Sequence, residues 1–206
     1  MSNACLSKLY DAERERLLLL RNSKLSGAYE CPVFGQGPDR PFLVLIGEAP
    51  GAEETKQSRP FVGKAGRQLD ELLSLARIPR DEVYITNAVK YRPIVDNGRT
   101  TRNRTPNREE IEASLPLLRA ELLALEPQCI ATLGNVPLLS VLSLCKMARQ
   151  VIGDAHGRPQ HISLEDWTAD LFPLYHPASA IYNRSLLETC RDDACRLGEH
   201  YAVNKR

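Results

Sequence analysis

The chain has 206 residues, a formal net charge of +1, and is 43% apolar and 26% charged; this fits one soluble domain able to bury a full core without disulfides or metal. No run of about 18 apolar residues occurs, which excludes a transmembrane helix, and the start, Met1-Ser2-Asn3-Ala4-Cys5, lacks the basic-then-apolar pattern of a secretory signal. The expectation is a cytoplasmic protein whose six cysteines, with no Cys-x-x-Cys among them, read first as small buried apolar residues.

Residues 5–21 carry Leu6, Leu9, Tyr10 and Leu17 to Leu20 and predict a helix; residues 26–41, with Gly35, Gly37 and Pro38, predict turns. Phe42-Leu43-Val44-Leu45-Ile46 is a continuous apolar run, the pattern of a strand buried on both faces, ending at Gly47 in a loop to about residue 63. Leu69, Leu72, Leu73 and Ala76 mark a helix over 64–76. A second strand, 83–86, ends at Asn87. A basic loop follows, and Thr105-Pro106 suits a helix start with proline at its first position; that helix runs to about 125, bent or interrupted near Pro116. Residues 128–133 predict a third strand, 135–146 a helix, 151–163 a turn-rich or hairpin excursion, 172–175 a short fourth strand, and 184–200 a last helix.

Buried strands alternating with helices predict a three-layer α/β/α domain with a central, mostly parallel four-stranded sheet. Ligands of such sheets bind beyond the C-terminal strand ends. Glu48 follows strand one, Asn87 strand two and His176 strand four, so one site collects all three. Two phosphate motifs are excluded. No Gly-x-Gly-x-x-Gly follows the first strand, and Gly63-Lys64 lacks both the upstream glycine and the Ser/Thr of a P-loop. Between positions 90 and 108, Lys90, Arg92, Arg99, Arg102, Arg104 and Arg108 face Asp96 alone. Such a loop is either a solvated surface or a contact to phosphates.

Four segments, in order, carry a specific resemblance: Gly47-Glu48-Ala49-Pro50-Gly51, Arg59-Pro60-Phe61-Val62-Gly63, Asn87-Ala88-Val89-Lys90-Tyr91-Arg92-Pro93 and Tyr175-His176-Pro177-Ala178. Together they resemble the uracil-DNA glycosylase superfamily, closest to its family 4, over most of the chain. The resemblance implies a single glycosylase-like domain over 1–206. It implies an enzyme of base excision repair that flips uracil out of DNA and hydrolyses its N-glycosidic bond without lyase chemistry, leaving an abasic site. The implied partner is DNA containing uracil or another deaminated base, bound by a monomer that touches no membrane.

The residue types suit that chemistry. Asn87 offers a carbonyl and an NH₂ complementary to uracil N3–H and O4, and Phe61 a flat face for the extruded ring. Gly47 and Gly51 complete the substrate loop. His176 resembles the histidine that donates to uracil O2 as the anion forms. Taken alone, Asn87 also reads as a strand-end cap, Phe61 as core, and a histidine before proline as structural. The water-positioning role falls on Glu48, Glu54 or the backbone at Ala49, because Ala49 stands where the superfamily's older members have aspartate. Arg59, Lys90, Arg92 and Arg184 are candidate phosphate contacts. Ile181 or Tyr182 is a candidate wedge into the gap left by the base, or else a loop anchor in the core.

The chain departs from family 4 at that family's iron–sulfur ligands. A leucine-rich helix over 1–26 replaces the N-terminal Cys-x-x-Cys segment, Tyr91 and Ser114 stand at the two later cysteine positions, and Cys129 and Cys145 have the wrong context. The expectation is no cluster and no metal, with Tyr91 filling the vacated space. The loss leaves two other functions open: a non-catalytic relative that binds uracil-containing or damaged DNA, and an enzyme shifted to hypoxanthine.

Overall fold

A computed structural model describes residues 3–21 and 32–205. Helix α1 (Asn3–Arg21) leads to β1 (Leu43–Gly47), α2 (Ala52–Gln57), α3 (Lys64–Leu75), β2 (Val83–Asn87), a hairpin β3 (Ile94–Asp96) and β4 (Thr101–Asn103), and α4 (Arg108–Leu125). Then follow β5 (Cys129–Leu133), α5 (Asn135–Leu144), α6 (Ile152–Ala155), β6 (Gln160–Leu164), β7 (Trp167–Leu174), α7 (Pro177–Tyr182) and α8 (Leu186–Asn204).

The main sheet has the order β2-β1-β5-β7-β6. β1 pairs in parallel with β2 and β5, β5 in parallel with β7, and only β6 runs antiparallel. Every residue of β1, β2 and β5 is buried, as expected of parallel strands covered on both faces. Side-chain alternation divides the core in two. Val44, Ile46 and Ile130 face Leu118, Leu122, Leu138, Val141 and Leu142 of α4 and α5. Leu43, Leu45, Ala131 and Leu133 face Leu69, Leu73, Leu197 and Tyr201 of α3 and α8. The result is the expected α/β/α layering. The chain leaves β1 through α3 on one face and returns past it to β5 through α4 on the other, so the strand order reverses beside β1 and opens a crevice at the carboxyl ends.

Four expectations need correction. The sheet has five strands rather than four: the 151–163 excursion contributes β6, which pairs with an eight-residue β7 along its whole length. The alternating burial of β6 marks a strand with one wet face, and its short apolar content hid it. α4 starts at Arg108, not Pro106, because Asn107 accepts from the Glu110 N–H at 2.9 Å while the Glu110 carboxylate accepts from the Asn107 N–H at 2.8 Å; this reciprocal cap outcompetes the proline start. α4 also runs unbroken through Pro116. Finally, residues 177–182 form a helical turn instead of a loop.

Among the described residues no helix is long and apolar enough to cross a membrane. Among the described residues the exposed large apolar side chains are Leu75, Val95, Val151 and Val203, scattered over separate elements without forming a contiguous patch. Leu171 has no exposed surface and sits mid-strand in β7. Leu171→Ala is expected to lower unfolding free energy by about 2–5 kcal/mol, read as a lower urea midpoint at unchanged slope.

Candidate active site

Four chain segments meet at the carboxyl edge of the sheet. Gly47 at the end of β1 lies opposite Asn87 at the end of β2. The parallel ladder continues one step beyond the strands, with Ala88 N–H donating to Gly47 O at 2.9 Å and Val89 N–H to Glu48 O at 3.0 Å. This register brings the Asn87 side chain over Gly47. A Cβ at position 47 would lie 2.4 Å from Asn87 Oδ1 and 2.6 Å from the Phe61 ring, so only glycine admits both neighbours. Asn87 is 2% exposed, yet its side-chain amide makes no hydrogen bond among the described residues. An amide without a protein partner at the sheet end is available to a ligand.

Phe61 adopts φ +54°, a left-handed conformation that costs a non-glycine residue of order 1–3 kcal/mol and persists only when its surroundings impose it. Arg80 imposes it: its Nη2 donates to Phe61 O at 2.9 Å and Pro60 O at 3.3 Å, while Nη1 pairs with Asp70. The Phe61 ring then sits 6.1 Å from the His176 ring, centroid to centroid, at 32°. Gly134, at φ +98°, closes β5 beneath His176; a Cβ there would lie 3.3 Å from His176 Cβ. His176 is the N-cap of α7, and its Nδ1 accepts from Ala178 N–H at 3.1 Å. An accepting Nδ1 carries no proton, so the ring proton is on Nε2. Burial also holds the histidine below its ordinary pKa. His176 is therefore a neutral imidazole with a donor Nε2–H.

The predicted acids separate by environment. Glu48 is half-buried, and burial raises its carboxyl above the ordinary range while the Thr105 hydroxyl pulls it back. Ala49 packs against Val89 and Tyr91. The Glu54 carboxylate accepts from the backbone N–H groups of Gly51 at 3.1 Å, Val62 at 3.0 Å and Gly63 at 2.7 Å. It fastens the Gly47–Gly51 loop to the Phe61–Gly63 loop, with three of a carboxylate's roughly four acceptor sites engaged by the protein.

The predicted phosphate contacts also divide. Arg59 and Arg184 are exposed. Lys90 and Arg92 are corrected: Lys90 is 1% exposed and pairs with buried Glu121, and Arg92 is 8% exposed with Nε donating to Asn103 Oδ1 at 2.7 Å. Both reach inward because their segment continues the buried β2 edge. Arg104 pairs with Glu110 and Arg108 with Glu112. The exposed cations of the basic stretch are Arg99 and Arg102, carried on the β3–β4 hairpin, and Arg108 at the start of α4. Ile181 and Tyr182 belong to α7, but their side chains lie outside the described residues.

The site does not fit a thiolate-held cluster. Tyr91 is 2% exposed and packed with Val89, Ala49 and Ile111, and the buried Ser114 hydroxyl donates to Glu110 O at 2.8 Å. Cys129 lies inside β5 with its thiol pushed up to about 12 by burial, and Cys145 is raised by burial too, the opposite of what a thiolate ligand needs. A small cavity of about 20 Å³ between α3, α8 and the sheet is lined mostly by leucines.

Sequence patterning does not single out Arg80, which holds Phe61 from 19 residues downstream. Gly134 did leave a signal, a glycine directly after a buried strand. Glu54→Ala removes three charge-assisted bonds that tie the two pocket loops and is expected to cost about 2 kcal/mol, measured by chemical denaturation.

Residues 34–196 match the profile of the uracil DNA glycosylase superfamily. The chain is 38% identical to the type-4 uracil-DNA glycosylase of Pyrobaculum aerophilum over 152 residues, covering 74% of each protein. It is 32% identical to that of Archaeoglobus fulgidus over 194 residues, 94% of each, and 35% identical to that of Thermotoga maritima over 182 residues, 84% of this chain and 87% of the relative. With Asn87 and Phe61 closed over Gly47, the Phe61 ring tilted against His176, and a profile match over most of its length, this chain belongs to the uracil-DNA glycosylase superfamily.

Proposed function

We propose that the protein excises uracil from DNA by hydrolysing its N-glycosidic bond, and that the carboxyl edge of the sheet is where it does so. The observation carrying this reading is the meeting of an unspent amide and an aromatic face over Gly47, with a donor imidazole tilted against that ring 6.1 Å away. A flipped uracil seated over Gly47 stacks on Phe61. Asn87 Oδ1 accepts from N3–H, and Nδ2 donates to O4; cytosine, which has an unprotonated N3 and a 4-amino group, leaves both contacts unmade. As the C1′–N1 bond breaks, its electron pair moves onto the uracil ring and charge gathers on O2, where the His176 Nε2–H donates. A neutral donor suits an anion that exists only near the transition state.

Water then forms the new C1′–O bond and releases its proton, leaving an abasic site and free uracil. Glu48 is our candidate for steadying the sugar cation and that water, with the backbone at Ala49 supplying position but no charge. Glu54 acts through the loops it joins. Arg59, Arg184, Arg99 and Arg102 contact phosphates, and Ile181 or Tyr182 fills the vacated stack. We further propose a cytoplasmic monomer working without a cofactor, the last supported by the packing of Tyr91 and Ser114. A second reading, recognition of damaged DNA without excision, is favoured by Ala49 and by the missing cluster cysteines.

A base-release panel tests both, with uracil, hypoxanthine and xanthine in single strands and in mismatched duplexes. Free uracil and an alkali-labile strand are expected, with Asn87→Ala and His176→Ala each slowing release by roughly 10²–10³. Binding without any released base would establish the second reading instead; release of hypoxanthine alone would move the substrate.

The pH profile follows from the imidazole. Because burial lowers the His176 pKa, the neutral donor persists from alkaline pH down to below its ordinary value of about 6.5. Activity is lost only as pH falls through the lowered pKa. The acid limb assigned to His176 in kcat/KM is expected to have its midpoint below 6.5 and to vanish in His176→Ala; a His176-dependent midpoint above 6.5 would contradict the neutral-donor role.

A further inference from the structure

Behind Asn87 lies a buried polar cluster that the chemistry above does not use. Lys90 Nζ has three protons and three acceptors around it: Thr86 Oγ1 at 2.7 Å, the backbone oxygen of Asn87 at 2.6 Å, and the carboxylate of Glu121. Lys90 and Glu121 are 1% and 0% exposed. Glu121 also accepts from Tyr10 on α1 at 2.5 Å and from Thr86 at 3.2 Å, and Tyr10 and Tyr84 meet through their hydroxyls. A buried ion pair contributes little net stability compared with apolar side chains of the same shape. Stability is thus a weak reason for this one.

Its geometry supplies a better reason. The lysine folds back over the end of β2 onto the carbonyl of the residue whose side chain faces the pocket. The neighbouring backbone is fixed on its other edges: Ala88 and Val89 N–H groups bond β1, and Lys90 O accepts from Val33 N–H at 2.7 Å. The carbonyl of Asn87, the next two N–H groups and the Lys90 carbonyl are thus held, while the Asn87 side-chain amide is left open. We propose that Lys90, neutralised by Glu121, is a positioning residue that fixes the peptide of Asn87 and so sets the aim of the base-reading amide. Substrate contact is not part of its role. Burial pushes the lysine pKa down and Glu121 pushes it up, so its carboxylate partner is what keeps the third donor in place.

This inference rests on the uracil-excision reading, and the test separates the two. Lys90→Met alone strands a buried carboxylate and is expected to unfold or melt early. Lys90→Met/Glu121→Gln removes both charges together and leaves an amide oxygen for Tyr10 and Thr86. This pair is compared with the parent, with Asn87→Ala and with the triple variant, by melting temperature, by affinity for uracil-free duplex, and by single-turnover release of uracil. The double variant is expected to keep its melting temperature within roughly 5 °C and its duplex affinity within about twofold, while releasing uracil roughly 10–100-fold more slowly. In the Asn87→Ala background the same two changes are expected to cost less than about threefold, because the residue they aim is already gone. Parent-like release by the double variant would overturn the proposal, as would an equal loss in both backgrounds. Should the double variant fail to fold, Thr86→Val, which removes one of the three acceptors, is put through the same cycle, and additivity with Asn87→Ala there overturns it equally. A parent that releases no uracil refutes the excision reading itself.

Discussion

The pocket depends on a close approach of backbone at Gly47. Parallel pairing sets β1 and β2 side by side and puts Gly47 opposite Asn87, and the missing side chain lets an amide and an aromatic ring occupy the space a Cβ would fill. A methyl group at that position would have to displace a side chain from the sheet end or push Phe61 off its left-handed backbone. The core enforces this arrangement from below. β1 has neighbours on both edges and apolar layers on both faces, so its end cannot shift without disturbing both cores. A rigid sheet end is what an enzyme needs where an error of about 1 Å can cost 10²-fold in rate.

Charges at this site act mostly on backbone. Glu54 gathers three N–H groups from two loops, Arg80 holds the carbonyl of Phe61, and Lys90 holds that of Asn87. In each case a side chain distant from the flipped base fixes a peptide, and the peptide fixes a pocket group. The groups proposed to face the base are then chemically mild, a neutral amide, a phenyl ring and a neutral imidazole, with the Glu48 carboxyl left for the sugar side. That division suits a reaction whose charge appears on the substrate, because preorganised dipoles stabilise it without a competing permanent charge in the ground state.

Much of this was legible in the sequence, and the failures share one cause. Continuous apolar runs at 42–46 and 128–133 marked buried parallel strands, and strand ends at Gly47 and Asn87 fixed where a ligand would bind. The family segments then named Phe61 and His176. What escaped was partner choice. Lys90 and Arg92 look like surface cations in a basic loop, because nothing local announces that Glu121, 31 residues on, lies buried across from Lys90. Glu54 looks like a pocket acid for the same reason: its partners Val62 and Gly63 are backbone groups, and backbone leaves no trace in a residue pattern. β6 escaped because alternation over five residues at a wet sheet edge is a weak signal beside the buried strands.

The N-terminal helix has its own place in this logic. Family resemblance implies a cluster-binding segment at the chain's start, where this protein has α1. Through Tyr10, α1 donates to Glu121 and stacks on Phe34, with ring centroids 4.3 Å apart; through Arg16 it reaches the carbonyl of Ala113 on α4 at 3.3 Å. Tyr91 and Ser114 meanwhile bury themselves at two cluster positions. Hydrogen bonds and packing thus join α1, α4 and the Asn87–Arg92 segment, three stretches that a four-thiolate cluster would cross-link. The two solutions differ physically. A cluster is a covalent staple that fails on oxidation, whereas a network of phenol, carboxylate and ammonium persists as long as water is excluded, since each member unpaired in the interior is costly. Through Lys90, Glu121 and Tyr10, then, the end of β2 is tied to the docking of α1.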